Sequence, residues 1–152
     1  MVGMLNSDYS DQNCSVARAL EVVGERWTLL IIRQLLRGPH RFAELERELE
    51  VSKNVLTTRL EKLVEQGMVK KERYSETRDW YRYKLTRKGA DFFPAISALM
   101  AWGDKYAAPD GPPMIFEHEC GHPTGHKVVC THCGEELRPR AVRLTAGPGA
   151  TA

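Results

Sequence analysis

Apolar residues recur at spacings of three and four along the first half of the chain, which predicts a succession of helices. The predicted helices cover residues 16–23, 25–36, 41–49 and 53–66. The stretch 25–36 is apolar on nearly every face, so it must be covered on several sides. We therefore expect it to be the central helix of the core.

The two helices that follow are amphipathic, and each carries one apolar stripe. In 41–49 the stripe consists of Phe42, Leu45 and Leu49. In 53–66 it consists of Leu56, Leu60 and Leu63. Residues suited to helix ends stand at the expected places, since Ser15 and Ser52 can cap the helices that follow them and Gly24 and Gly67 can end them.

The pattern then changes to the two-residue alternation of strands. We predict strands at 68–74 and 80–85, joined by a polar turn at 75–79, and then a helix that begins near Arg87 with Thr86 as its cap. Pro94 disfavours helical geometry at Phe93. A break is therefore expected there, with a further helix from about 95 to 106.

This order of elements predicts an α+β, mainly helical fold, a winged helix-turn-helix with a two-stranded wing. A C-terminal dimerisation helix and a small Cys/His-rich tail complete the expected architecture. The helix 95–106 carries more large apolar groups than one chain would cover, and a symmetric contact between two copies would bury them.

Charge is concentrated in the part of the chain that contains these elements. Residues 37–90 hold 14 basic and 9 acidic residues, whereas the whole chain has a net charge of only +2. A basic segment suits a polyanionic partner, although a solvated basic surface would give the same composition. With no apolar run of membrane-spanning length and no signal peptide, we expect a cytoplasmic protein without a membrane partner.

The helix 53–66 is the predicted recognition helix for double-stranded DNA, because its first turn would lie closest to the base edges of the major groove. The wing is expected on the backbone or in the minor groove, and the alternative is a solubilised turn that touches nothing. Arg59 lies at the edge of the leucine stripe, so it could equally brace the fold. The candidate DNA-binding residues are Arg41, Ser52, Lys53, Asn54, Thr57, Thr58, Arg59, Lys62, Arg73 and Arg78.

The sequence resembles the HxlR-type winged-helix regulators of bacteria. The resemblance rests on CSVARAL (14–20), GERWTLLI (24–31), GPHRFAEL (38–45), SKNVLTTRL (52–60) and YKLTRKG (83–89), and it covers about residues 14–106. It implies a homodimer, built from the N-terminal and C-terminal helices, that represses or activates nearby genes. A small-molecule or oxidant effector is compatible with this reading, and no cofactor is required for DNA binding.

The resemblance, together with the changes in composition outside it, gives the expected domain organisation. A flexible N-terminal arm would cover 1–13, the HxlR-type DNA-binding and dimerisation domain 14–107, and a linker 108–114. A zinc-ribbon-like tail is expected at 115–140 and a disordered C-terminus at 141–152.

Cysteines suggest two further sites. Cys14 stands just before the first predicted helix, where a thiol can become reactive, and some HxlR-type regulators use a cysteine there as a redox sensor that links the subunits. The alternative is a small residue buried near the dimer interface.

In the tail, Cys130 and Cys133 form a Cys-x-x-Cys-Gly knuckle, and Cys120 belongs to a degraded second copy in which Glu117 replaces the first cysteine. Structural zinc needs four ligands, so Cys120, Cys130 and Cys133 would require one histidine as the fourth. The candidates are His118, His122, His126 and His132. The alternative is an eroded ribbon that binds no metal.

Two other classes of function are weighed against DNA binding. A small zinc-dependent enzyme is disfavoured because the tail is too short to enclose a pocket and lacks a recognisable acid–base pair. A winged-helix protein-interaction module would present an acidic or apolar recognition face, whereas this one is polar and basic. We therefore expect no catalytic residues.

Overall fold

The computed structural model describes residues 8, 9 and 12–150, which divide into two compact units at Phe93 and Pro94. Most of the predicted N-terminal arm (1–7, 10 and 11) and the last two residues lie outside the described part. The described part of the first unit contains five helices and a hairpin, and the second unit begins with a long helix.

The first two helices begin at slightly different residues from those expected. α1 (Ser15–Val23) has Cys14, not Ser15, at its N-cap, so Ser15 is already helical. α2 (Thr28–Leu35) begins three residues later than predicted because 25–27 form a turn in which the Thr28 N–H donates to the Glu25 carbonyl over 3.0 Å. The expectation of a central helix is confirmed in part, since five of its eight residues are buried while Leu30 is exposed.

α3 (Phe42–Leu49) and α4 (Lys53–Glu65) match the predicted helices. At the start of α3 the Arg41 N–H donates to the Glu44 carboxylate over 2.7 Å, and at the start of α4 the Ser52 hydroxyl accepts from the Val55 N–H over 3.5 Å. Glu50 ends α3 with a positive φ of 51°, which turns the chain tightly into α4. The two helices of the DNA-binding motif are thus joined by a very short connection.

The core of the first unit consists of the predicted apolar stripes. The α4 stripe is completely covered, since Leu56, Leu60 and Leu63 are at most 1% exposed. Leu45 and Leu49 of α3 are buried too, whereas Phe42 is only half-buried. Ile31 and Ile32 supply the α2 side of this core.

The wing is an antiparallel hairpin of β1 (Val69–Arg73) and β2 (Tyr81–Leu85), in which Val69 pairs with Leu85 and Arg73 with Tyr81. The middle of β2 is attached to the loop before α3 by two backbone hydrogen bonds, His40 N–H to Tyr83 O (3.0 Å) and Tyr83 N–H to His40 O (2.7 Å). The hairpin therefore joins the rest of the unit through β2 as well as through the chain.

α5 (Arg87–Ala90) begins at the predicted cap, where the Thr86 hydroxyl accepts from the Gly89 N–H over 3.2 Å. Gly89 packs so closely on the end of α4 and β1 that a Cβ atom there would come within 2.1 Å of the Met68 carbonyl oxygen. Only glycine fits this contact, which fixes α5 against the start of the wing.

The expected break near Pro94 is confirmed, but its position differs from the prediction. α6 (Phe93–Tyr106) already includes Phe93, and Pro94 lies in its first turn. Proline is tolerated there because a first-turn N–H has no partner within the helix. The break falls instead at Asp91 and Phe92, between α5 and α6.

The rest of the second unit is mainly irregular. Its described residues contain two isolated bridges, Glu117 with Pro123 and Val129 with Glu136, and a 3₁₀ turn at Pro139–Ala141. Around the Cys-x-x-Cys knuckle the backbone pairing is thus the bridge between Val129 and Glu136.

The first unit has the element order and pairing of a winged helix-turn-helix, as predicted. None of the helices in the described part of the chain is both long and apolar enough to cross a membrane.

Replacing Leu56 with alanine should lower the free energy of unfolding by about 2–5 kcal/mol, because a fully buried leucine leaves a cavity when truncated. Val64→Ala on the same helix is the matched control, since Val64 is exposed and its truncation should cost about 0.5 kcal/mol or less. Urea unfolding followed by circular dichroism at one protein concentration measures both. Equal losses would contradict the assigned rotation of α4.

Candidate nucleic-acid interface

The first turns of α4 present a polar surface to solvent. Because Leu56, Leu60 and Leu63 face the core, the residues between them face outward, and Lys53, Asn54, Thr57 and Thr58 are all exposed. Ser52 occupies the N-cap that orients this end of the helix. The Thr58 hydroxyl donates to the Asn54 carbonyl over 2.9 Å, so toward an outside partner it can act only as an acceptor.

Arg59 is turned away from this surface. Its guanidinium lies 2.8 Å from the Glu25 carboxylate, its side chain is only 22% exposed, and its Nε is buried without a hydrogen-bond partner in the described structure. This geometry favours the bracing role over the DNA contact, and it ties α4 to the turn before α2. Lys62, farther along α4, is half-buried.

Arg41 is exposed, but its charge is already engaged. Its Nε donates to Glu44 over 2.9 Å, and hydrogen bonds to Glu44 and then to Tyr74 raise the pKa of Arg41 above its ordinary value. The same contact lowers the pKa of Glu44. A phosphate at this position would have to share Arg41 with a neighbouring carboxylate.

Three of the wing's cations converge on one carboxylate. Glu72 lies 2.8 Å from Lys84, 2.9 Å from Arg82 and 3.9 Å from Lys70. Hydrogen bonds from Lys84 and then Arg82 hold the pKa of Glu72 below its ordinary value, so it stays charged at neutral pH. The positive charge that the wing offers to a partner is therefore smaller than its composition indicates.

The tip of the wing combines a cation with exposed aromatic rings. The Arg78 guanidinium lies over the Trp80 ring at 4.7 Å, and the Tyr74 and Trp80 ring centroids are 5.9 Å apart. Arg73 points toward the same turn and pairs with Asp79 at 3.2 Å. The exposure of Trp80 was not predicted from the sequence. Alternation along a strand shows which side chains share a face of the hairpin, but it does not show whether other elements cover that face near the turn.

Cys14 is an exposed thiol at the N-terminus of α1. The backbone N–H groups of Ala17 and then Val16 lower the pKa of the Cys14 thiol, and the nearby charge of Arg18 lowers it further. This exposure is that of a single chain, so burial of Cys14 at a dimer interface stays an alternative.

The tail cysteines lie in two tight turns that resemble each other. Gly121 and Gly134, which follow Cys120 and Cys133, both have positive φ values, 80° and 76°. The backbone N–H groups of Cys133 and then His132, followed by the Cys133 side chain, lower the pKa of Cys130, so these two cysteines lie together.

No three His, Cys, Asp or Glu side chains within the described ranges are grouped so as to hold a metal ion. The three-cysteine site with Cys120 is not assembled, and zinc binding stays a prediction.

Known proteins with similar sequences are helix-turn-helix regulators. A family model described as HxlR-like helix-turn-helix matches residues 22–111. An uncharacterized HTH-type transcriptional regulator of Mycobacterium tuberculosis is 47% identical over 137 residues, which is 89% of this chain and 87% of that protein.

Solved structures of a transcription factor and of a redox regulator are also similar to this chain. The candidate transcription factor PA1607 is 34% identical with a TM-score of 0.79, covering 89% of this chain and 96% of its own. The redox regulator HypR in its oxidized form is 28% identical with a TM-score of 0.58, covering 60% of this chain and 96% of its own. The match to PA1607 covers 89% of this chain, which is more than residues 1–111 make up. It therefore extends past the end of the family model at residue 111 and into the tail.

Alkylation of Cys14 should have its pH midpoint below that of a free cysteine thiol. The helix amides favour the thiolate, so the thiolate fraction at any pH below the ordinary value of 9.0 is larger than for an unshifted thiol. Iodoacetamide labelling across pH, with the Cys14 peptide quantified by mass spectrometry and N-acetylcysteine as reference, measures the midpoint. A midpoint at or above the reference would contradict the assignment.

Proposed function

The chain belongs to the HxlR-like helix-turn-helix family of transcriptional regulators, and on this premise we propose that it binds a specific duplex sequence as a homodimer. The observation that carries the proposal is the rotation of α4, which buries three leucines and leaves Lys53, Asn54 and Thr57 exposed near the N-terminus of the helix. That end of a recognition helix lies deepest in the major groove.

Each exposed group has a chemistry suited to DNA. The Asn54 amide can donate to and accept from an adenine edge, the Thr57 hydroxyl can do either, and Lys53 can pair with a phosphate. On the wing, Arg78 is the cation best placed for the backbone or minor groove, because the cations around Glu72 already share a carboxylate. We assign Arg41 and Arg73 a secondary, phosphate-sharing role for the same reason.

A dimer is supported by exposed apolar residues on two helices. Leu99, Trp102 and Tyr106 form a stripe on α6 and are 51%, 61% and 64% exposed. On α1, Val16 and Leu20 lie one turn apart and are also exposed. A symmetric contact between two copies would cover these groups and offer two recognition helices to half-sites roughly 10 bp apart or a multiple of that.

A second proposal concerns regulation through Cys14, and it rests on the exposure and lowered pKa of this thiol. HypR, a structural neighbour, is described as a redox regulator. Oxidation of Cys14 by a hydroperoxide to the sulfenic acid, with release of the corresponding alcohol or water, would let the thiol of a second subunit displace water and form a disulfide.

Charge reversal by Lys53→Glu or Arg78→Glu should abolish binding to a duplex selected from a random pool by the full chain, while the dimer is retained. Each change replaces attraction to the DNA backbone by repulsion. The matched control is Lys127→Glu, an exposed cation of the tail that should leave affinity unchanged. Binding is measured at several salt concentrations. Asn54→Ala should lower the discrimination between bases at one position of the duplex by about 1–3 kcal/mol of binding free energy.

Unchanged affinity in both reversed variants would overturn the assignment of the groove-facing surface. Failure to enrich any duplex would favour the protein-interaction alternative.

Trp102→Glu should convert the dimer to a monomer, because a carboxylate would be buried at the centre of the α6 stripe. Lys127→Glu is the control, since it places a carboxylate at an exposed position outside both α1 and α6. Sedimentation velocity at matched concentrations reports the mass of each variant. A Trp102→Glu protein that still sediments as a dimer would refute the proposed contact.

A further inference from the structure

Between α4 and the wing lies an open groove of about 740 Å³ that shares only Thr57 with the proposed DNA contacts. Its walls come from two helices and the wing of the first unit, since Phe42 belongs to α3 and Val64 to α4, while Lys71 belongs to β1 and Tyr81 and Tyr83 to β2. The volume is within the range typical of sites for small organic molecules, roughly 300–1,000 Å³.

The apolar part of the groove suits a flat ring. Three aromatic side chains, Phe42, Tyr81 and Tyr83, line it, and the exposed Val64 faces it from the helix. Tyr81 keeps 38% of its surface exposed although its ring is suited to stacking. A planar aromatic molecule of one or two rings would cover these surfaces.

The charged part of the groove has the opposite sign from its surroundings. Glu61 and Glu65 lie one turn apart on α4, and within the described part of the chain neither has an ion-pair partner within 4 Å. Asp79 lies opposite and is paired with Arg73, while the one lining cation, Lys71, is held 4.5 Å above the Tyr81 ring. The groove is therefore negative within a segment of the chain that is otherwise basic.

The charge of Glu61 acts inside the groove. Burial and then the charge of Glu61 raise the pKa of Tyr83, which lines the groove across from α4. A phosphate or carboxylate entering here would meet the same repulsion, whereas a cation would be attracted by Glu61 and Glu65 together. The aromatic walls add cation–π attraction for a positive group held near a ring.

We propose that this groove is a binding site for a small aromatic cation, an aryl-substituted amine or quaternary ammonium. Its ring lies against Phe42 and Tyr81, and its positive charge lies beside Glu61 and Glu65. Thr57 and Lys71 form part of the same lining, so an occupant changes the surface between the recognition helix and the wing. That regulatory consequence rests on the proposed DNA-binding function, whereas the site itself does not.

The test uses the full chain without DNA and three probes of one shape. Calorimetric titration with (2-naphthylmethyl)trimethylammonium should show one site per chain, with 2-naphthylmethanol several-fold weaker and 2-naphthylacetate without measurable binding. Glu61→Gln and Glu65→Gln should each weaken the cation by about threefold to tenfold, as expected for one partly solvated charge pair. Glu46→Gln, a carboxylate of α3 outside the groove lining, should bind like the unaltered protein.

Because both glutamates are exposed, their glutamine variants should unfold at the same urea concentration as the unaltered protein, so a weaker affinity reports the site. Absence of cation binding at millimolar concentration would overturn the proposal. So would equal binding of the three probes, or affinities unchanged by both glutamine substitutions.

A second titration separates this proposal from the function above. The selected duplex is titrated into the protein with and without saturating cation. A lower duplex affinity in the unaltered protein, absent in a Glu61→Gln, Glu65→Gln double variant, supports regulation through the groove. If saturating cation leaves the duplex affinity of the unaltered protein unchanged, only the proposed regulation is overturned. If neither the unaltered protein nor the double variant binds the duplex, only the proposed DNA-binding function is overturned.

Discussion

The burial of Leu56, Leu60 and Leu63 determines the rotation of α4 about its own axis, and most features of the surface depend on that rotation. A turn of the helix by one residue position would bring a threonine into the core and a leucine into solvent, at a cost of several kcal/mol. The ion pair of Arg59 with Glu25 acts in the same sense from the side of the helix. Both the polar face and the acidic groove are therefore consequences of how one helix packs.

Ion pairs, as well as composition, determine where positive charge is available on the surface of this protein. Glu72 engages three cations of the wing and Glu44 engages Arg41, so part of the basic charge is offset locally. Among the candidate DNA-binding cations in the described residues, Lys53, Lys62 and Arg78 have no carboxylate within 4 Å. Glu61 and Glu65, without ion-pair partners in the described residues, form a negative region beside them. Opposite potentials thus lie within one interface, which lets one surface discriminate between anionic and cationic partners.

Much of the fold could be predicted from the sequence because its signals are local. Helix stripes, the Ser52 and Thr86 caps and the glycine after α4 are each decided within a few residues, and the structure confirms them. The start of α2 and the place of Pro94 were misjudged by two or three residues, since a turn and a helix N-terminus accept similar sequences. Side-chain pairings such as Arg59 with Glu25 join residues far apart in the chain, and no local pattern encodes them. The groove was missed for the same reason, because its walls come from α3, α4 and both strands of the wing.

The two backbone hydrogen bonds between His40 and Tyr83 hold the hairpin at the middle of β2, two residue pairs before the turn. The turn at 75–79 is closed by contacts within the hairpin itself, between Arg73 and Asp79 and from the Arg78 N–H to the Ser75 hydroxyl. Insertions or deletions within 75–79 would alter the length of the wing and leave the folding of the helices intact.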